Sequence, residues 1–293
     1  MYNFRIPCPA TDYSPELLEE LAYRETQDGA KLMHNQNFIV IDESTYNYSG
    51  ETEFYSDEKV LGIARYDASN KSFDFINHET TVMGVKLNPE QSIAYHYAVN
   101  VPEMLCIAVT GKAGTGKTFA LALAGLHKLK MSRKHYAGVA YSKEIETMGK
   151  DPGALPGEIE DKTKEHYMPL FQNIREITNN ENKFDSHEYE NMIEFIHVAY
   201  ARGRNVMRKA VWIIDEFQNF KPKLAKSMCG RAGEDTLVGI CGSSLQVDTR
   251  GLDEKNNGLE YTIERFTGQP WFTHIEFKRS ERKGLSMYSD DLL

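Results

Sequence analysis

Eight consecutive residues, Gly111-Lys112-Ala113-Gly114-Thr115-Gly116-Lys117-Thr118, constrain the fold more than any other segment of the chain. They fit GxxxxGK[ST], in which glycines let backbone N–H groups curl around phosphate oxygens without interference from a Cβ. A helix beginning at the end of the loop adds the positive end of its dipole. Such a loop works only if a strand feeds it and a helix leaves it. The apolar run Met104–Thr110 precedes it, and Phe119-Ala120-Leu121-Ala122-Leu123-Ala124 follows. The latter is apolar on nearly every side and predicts a helix pressed against a sheet. In this setting Lys117 would reach the β/γ-phosphates of ATP, and the Thr118 hydroxyl would ligate Mg²⁺.

The alternation continues along the chain. From residue 88 onward, strands are expected at Met104–Thr110, Tyr136–Tyr141, Val211–Asp215, Thr236–Cys241 and Phe272–Phe277, with helical segments between them. That order favours an α/β fold with a mainly parallel sheet. The Gly-, Pro-, Asn- and charge-rich stretch 150–190 reads as the longest insertion. Before residue 87 the pattern differs. Residues 14–28 predict a short helix capped by Ser14 with Pro15 in its first turn. The β-like runs 38–41, 60–64 and 73–76 suggest a small antiparallel module over 30–86. The expected division is therefore a β-rich N-terminal module, 1–86, and a core, 87–293.

Charge supports that division. The 293 residues carry a formal charge of −9, which at first sight opposes a nucleic-acid partner. Residues 1–87, however, hold 15 acidic and 7 basic side chains, whereas residues 88–293 hold 28 and 27. The acidity belongs to the N-terminal module, and the core is nearly neutral. Cys8, Cys106, Cys229 and Cys241 are scattered without a CxxC pair, and no Cys/His cluster has zinc-ligand spacing. The chain shows neither a signal peptide nor a membrane-length apolar segment, so a cytoplasmic location is expected.

The second chemical motif is Val211-Trp212-Ile213-Ile214-Asp215-Glu216-Phe217-Gln218. A buried strand ending in two acids presents carboxylates at the edge where α/β sheets bind ligands. Asp215 would hold Mg²⁺ and Glu216 would polarise the attacking water. DExQ after a phosphate loop resembles superfamily 1 helicases, where Gln218 would lie against the nucleotide. Leu87-Asn88-Pro89-Glu90-Gln91 is similar to their adenine-reading motif, which places Gln91 on the base. Gly242-Ser243-Ser244-Leu245-Gln246 is similar to their GDxxQ segment: Gln246 matches the γ-phosphate sensor, and Ser243 replaces the usual Asp.

The ordered set resembles the PhoH family of ATPases. Its other pieces are Asp151–Gly157, Ala201–Arg204, Arg231-Ala232-Gly233-Glu234, Asn257-Gly258-Leu259 and Ser280-Glu281-Arg282. The resemblance implies a single RecA-like P-loop NTPase core, with proposed RNA-unwinding activity. It also implies a homo-oligomeric ring, hexameric by family pattern, because one core lacks the transition-state arginine that a second would supply. Arg282 and Arg231 are the candidates for that role. The PIN nuclease found in fused relatives is expected to be missing. Tyr141-Ser142-Lys143 departs from the family's usual Arg-Pro.

Basic stretches at 126–135 and 202–231 could face RNA or single-stranded nucleic acid, although aromatic residues for base stacking are sparse. Two alternatives belong to other classes. One is a nucleotide-gated assembly or scaffold protein with weak hydrolysis, which Ser243 would favour; the other is a small-molecule P-loop kinase.

Overall fold

The computed structural model describes residues 3–14, 16–17, 20, 32–50, 55, 57–78, 80–131, 136, 138–144, 159–180, 192–198 and 209–281. Its strands are β1 (Asn3–Cys8), β2 (Asn37–Asp42), β3 (Val60–Asp67), β4 (Ser72–Ile76), β5 (Thr81–Val82), β6 (Val85–Lys86), β7 (Cys106–Gly111), β8 (Gly138–Lys143), β9 (Ile193–Phe195), β10 (Ala210–Asp215), β11 (Leu237–Gly242) and β12 (Phe272–Phe277). The helices are α1 (Pro89–Asn100), α2 (Lys117–Met131), α3 (Ile159–Asn180), α4 (Pro222–Cys229) and α5 (Gly258–Phe266). Six strands form a sheet in the order β12-β7-β11-β10-β8-β9, and each of its described pairings is parallel. The fold is α/β, as the alternating pattern predicts. Two compact units divide the chain: one takes in the described residues of Met1–Val82, Lys86–Lys117 and Ile263–Leu293, the other those of Met83–Val85 and Thr118–Thr262.

In the first unit β1-β2-β3-β4 form a separate sheet. β2–β3 and β3–β4 are antiparallel, as expected, but β1 adds to β2 in parallel. The strands within 30–86 thus pair as expected, and the four-stranded sheet is mixed because β1, which lies before that range, joins it in parallel. β1 has a period-2 pattern, with Ile6 and Cys8 buried, and Pro7 is tolerated because the strand lies at an edge. Of the helix expected over 14–28, the Ser14 hydroxyl accepts the Leu17 N–H at 3.1 Å; most of the remainder lies outside the described residues.

Asn35 joins this sheet to β12. It adopts φ +61°, a left-handed conformation that Asn tolerates better than most residues, and it is fully buried. Its Nδ2 donates to the carbonyls of Pro270 and Phe272, both at 3.0 Å. Its own carbonyl accepts from Tyr97 at 3.2 Å and Thr273 at 3.3 Å.

A buried charge cluster lies in the same unit. Arg5 of β1 bonds Glu58 and, at 2.6 Å, Glu90 in the first turn of α1; both carboxylates are fully buried. Arg279 donates to the Glu58 carbonyl at 2.9 Å and approaches Glu90 at 3.9 Å. Burial, the largest influence, lowers the Arg279 pKa from its ordinary value.

In the second unit, sheet register explains how the core forms. Val139 and Tyr141 of β8 stand beside Val211 and Ile213 of β10, and Ile213 stands beside Gly239 of β11. These residues share one face because strand side chains alternate. α2 covers that face: a Cβ on Gly239 would meet Leu121 at 2.8 Å, and one on Gly125 would meet Val139 at 3.0 Å. The two glycines thus admit the helix closely. On the other face Trp212 is fully buried, and its indole N–H donates to Ser142 Oγ at 3.0 Å. The stretch read as a long insertion contains the 22-residue α3. Tyr167, Leu170, Ile174 and Ile177 are buried at helical spacing, and Tyr167 stacks on Phe195 at 4.3 Å.

Removing one member of a buried ion pair leaves its partner's charge uncompensated, at a cost of about 3–5 kcal/mol. Arg5→Ala is therefore expected to lower unfolding free energy by about that amount, read from urea denaturation. A loss below about 1 kcal/mol, typical of an exposed pair, would contradict the buried cluster.

Candidate functional site

The loop after β7 is shaped by three glycines, Gly111, Gly114 and Gly116, with φ of +147°, +76° and +82°. At Gly116 the space is also closed, because a Cβ would sit 2.8 Å from Gln91 Nε2. Lys112, Ala113, Gly114, Gly116, Lys117 and Thr118 are partly accessible, whereas Thr115 is buried and donates to the Lys112 carbonyl at 3.0 Å. The Lys117 ammonium donates to the carbonyls of Gly111 and Lys112, both at 2.8 Å. The loop therefore keeps a cation at its centre while its glycines leave the backbone free to turn.

Gln91 reaches this loop from a capping box at the start of α1. Asn88 Oδ1 accepts the Gln91 N–H at 2.8 Å, and Gln91 Oε1 accepts the Asn88 N–H at 3.1 Å. Asn88 Nδ2 in turn donates to Glu281 at 2.6 Å, and the Glu281 N–H donates to the Gly114 carbonyl at 3.0 Å. That backbone contact brings residue 281 against the loop. A cleft of about 440 Å³ opens beside these residues, lined by Lys59, His78, Lys86, Asn88, Arg279 and Glu281 among others. The role of Glu281 goes beyond the sequence reading, which singled out its neighbour Arg282.

In the second unit, the α2 packing described above sets Thr118 over the end of β10. The Thr118 hydroxyl donates to Asp215 Oδ2 at 2.9 Å, and the Tyr141 phenol donates to the same oxygen at 2.8 Å. Asp215 Oδ1 accepts from Cys241 Sγ at 3.1 Å and from the Glu216 N–H at 2.9 Å. Burial, followed by the adjacent Asp215 charge, raises the Tyr141 pKa well above its ordinary value, so the phenol stays a donor. Tyr141 and Cys241 were legible only as a family departure and a small buried residue. Their positions near the carboxyl ends of neighbouring parallel strands are the signal that marks them.

Glu216 adopts φ +51°, an uncommon conformation for a residue with a Cβ and one found often at functional sites. Its carboxylate accepts from Gln218 Nε2 at 2.7 Å and lies 3.7 Å from the Lys143 ammonium. Gln218 is fully buried; it also donates to the Gln246 carbonyl at 2.9 Å and accepts the Ser243 N–H at 3.2 Å. Both ends of its amide are thus engaged by protein, and it links Glu216 to the segment that carries Gln246. Asn219 continues this link, accepting the Asp248 N–H at 2.9 Å.

Arg231 lies in the turn after α4, where its N–H donates to the Met228 carbonyl at 2.9 Å. Arg282 lies outside the described residues, as do Asp151–Gly157 and Ala201–Arg204. Among the described residues, no group of three or more His, Cys, Asp or Glu side chains is arranged to hold a metal, and no helix is long and apolar enough to cross a membrane.

A family model described as PhoH-like protein matches residues 86–286. Protein PhoH2 of Bacillus subtilis is 34% identical over 209 residues, covering 70% of this chain and 47% of that protein. Protein PhoH of Escherichia coli K12 is 29% identical over 188 residues, covering 64% and 51%. The chain spans about half the length of the curated relatives it matches. Among solved structures, a Sulfolobus solfataricus SWI2/SNF2 ATPase core in complex with dsDNA aligns with a TM-score of 0.39 and 12% identity, covering 73% of this chain and 48% of that one.

Gln218→Leu would keep the volume, strand the buried Ser243 N–H, and remove the donor from the partly buried Glu216 carboxylate and Gln246 carbonyl. It is expected to cost about 1–3 kcal/mol of stability, measured by urea denaturation. A neutral substitution would show that the amide network carries no energy.

Proposed function

This chain belongs to the PhoH-like protein family, and from that premise we propose that it is a Mg²⁺-dependent ATP hydrolase acting on RNA or single-stranded nucleic acid. The observation that carries this reading is the 2.9 Å hydrogen bond from Thr118 to Asp215. Thr118 follows Lys117 in the chain, so the residue expected to contact phosphate is covalently joined to the hydroxyl that meets the acidic strand end. A hydroxyl and a carboxylate are hard oxygen donors, which suit Mg²⁺. When bound, Mg²⁺ would be held by Thr118 and Asp215 and would offset the negative charge that develops on the phosphates.

The protein groups divide the remaining work. Backbone N–H groups of Gly111–Thr118 hold the phosphates, and Lys117 turns its ammonium to the β/γ-phosphates. Glu216 orients the attacking water and accepts its proton. Gln218 keeps Glu216 in place and links it to Gln246, which reports on the γ-phosphate. Gln91 lies at the base of the nucleotide. Residues 1–86 form an accessory module to the ATPase region 87–293.

Coupling to nucleic acid is supported by Lys221, Lys223 and Lys226, which are exposed together along α4 and its N-cap. Such a cluster attracts phosphates and releases counterions. In a homo-oligomeric ring, hexameric by family pattern, Arg282 or Arg231 of a neighbouring subunit would stabilise the transition state. A cytoplasmic location fits this activity.

The decisive measurement is ATP hydrolysis with and without RNA or single-stranded DNA, together with mass in solution. The wild type is expected to release phosphate faster with nucleic acid. Lys117→Ala should abolish turnover, and Glu216→Gln should retain ATP binding while kcat falls about 10²–10⁴-fold. Unchanged hydrolysis by Lys117→Ala, or no hydrolysis by the wild type, would overturn the reading.

A further inference from the structure

Asp215 is the most heavily bonded carboxylate of the candidate site. A carboxylate offers about four lone-pair positions, and four donors meet this one, two on each oxygen. Thr118 and Asp215 already have roles in the proposed reaction. Tyr141 and Cys241 have none, yet they approach the carboxylate from strands on either side of β10.

We propose that Tyr141 and Cys241 are positioning residues that fix the rotation of the Asp215 carboxylate and thereby set how tightly the site holds its divalent cation. The inference rests on the reading that Asp215 serves Mg²⁺ together with ATP.

Geometry supports it in three ways. Tyr141 is a rigid support: it is 1% exposed, and its ring makes edge contacts with Tyr167 at 5.9 Å and Phe195 at 6.2 Å. Its position in β8 is opposite Ile213, two residues before Asp215. The length of a tyrosine side chain spans that offset, given a rise of about 3.3 Å per strand residue. A phenylalanine there would fill the same space and leave the carboxylate without the donor.

Cys241 meets the other oxygen and also lies 3.7 Å from the Thr118 hydroxyl. It therefore contacts both oxygen groups assigned to the cation. The Thr118 hydroxyl can donate its proton to Asp215 and still present a lone pair to a metal. Outer hydrogen-bond partners of metal-holding groups commonly change metal affinity or activity about 10–100-fold.

The test measures cation binding directly. Mn²⁺ is titrated into the full chain with ATP and followed by the EPR signal of free Mn²⁺; fluorescent mant-ATP binding is measured across Mg²⁺ concentrations. Tyr141→Phe and Cys241→Ala are expected to raise the half-saturating cation concentration about 10-fold or more, while Cys241→Ser, which restores a donor, stays closer to wild type. Cation-free mant-ATP affinity should change less than about twofold, and the thermal transition should persist. A purely packing role predicts no movement of the cation curve in Tyr141→Phe. An unchanged curve in a folded Tyr141→Phe overturns the inference and leaves the ATPase reading standing. If Tyr141→Phe does not fold, equal cation curves for Cys241→Ala and wild type overturn it instead. A wild type whose nucleotide binding ignores Mg²⁺ overturns the parent reading.

Discussion

The hydrogen bond between Thr118 and Asp215 is the constraint around which the second unit is arranged. It requires the first turn of α2 to lie over the end of β10, and α2 can lie there only if the sheet admits it closely. Gly239 yields space to Leu121, and Gly125 lets the helix backbone approach Val139 and Val211. Core packing and site chemistry are therefore one problem in this unit. A bulky residue at either glycine would lift the helix and move the hydroxyl from the carboxylate.

Much of this was legible in the sequence because its signals are local. The phosphate loop needs its glycines, and a strand ending in Asp215-Glu216 needs its apolar run. β12 appears over Phe272–Phe277, the range expected for it; β7, β8, β10 and β11 differ from expectation only at their ends, whereas β9 (Ile193–Phe195) was not expected. The less visible features depend on distant partners. β1 is stabilised by pairing with β2, and the apolar spacing in α3 is diluted by polar neighbours. Tyr141 acquires its role from an aspartate 74 residues away. Gln218 is similar: its place in DExQ is visible, but engagement of both ends of its amide follows from the turn that buries it.

That amide also changes how Ser243 is understood. Resemblance to the helicase motif made the missing Asp conspicuous. The contact with Gln218, however, comes from the Ser243 backbone N–H, which any residue other than proline could supply. Gln246 likewise contributes a carbonyl to this network. The link between the acidic end of β10 and the segment after β11 thus tolerates side-chain change at 243, because Ser243 and Gln246 contribute main-chain groups to it. Asn219 extends the same pattern, accepting the N–H groups of Asp248 and Thr249.

The charge cluster around Arg5 has a consequence for biosynthesis. Arg5 bonds Glu90 across 85 positions, and Arg279 reaches back to Glu58 across 221. Glu90 is next to Gln91, and Arg279 is two residues before Glu281, whose N–H supports Gly114. The phosphate loop can be translated and begin its helix long before Arg279 and Glu281 exist. Its surroundings are completed only when residues from both ends of the described chain are available together. Contacts of such long sequence separation form late and slowly. A nascent chain therefore passes through a period in which it carries the motif but lacks the assembled cradle, and a nucleotide would meet a finished loop only after Glu281 has emerged.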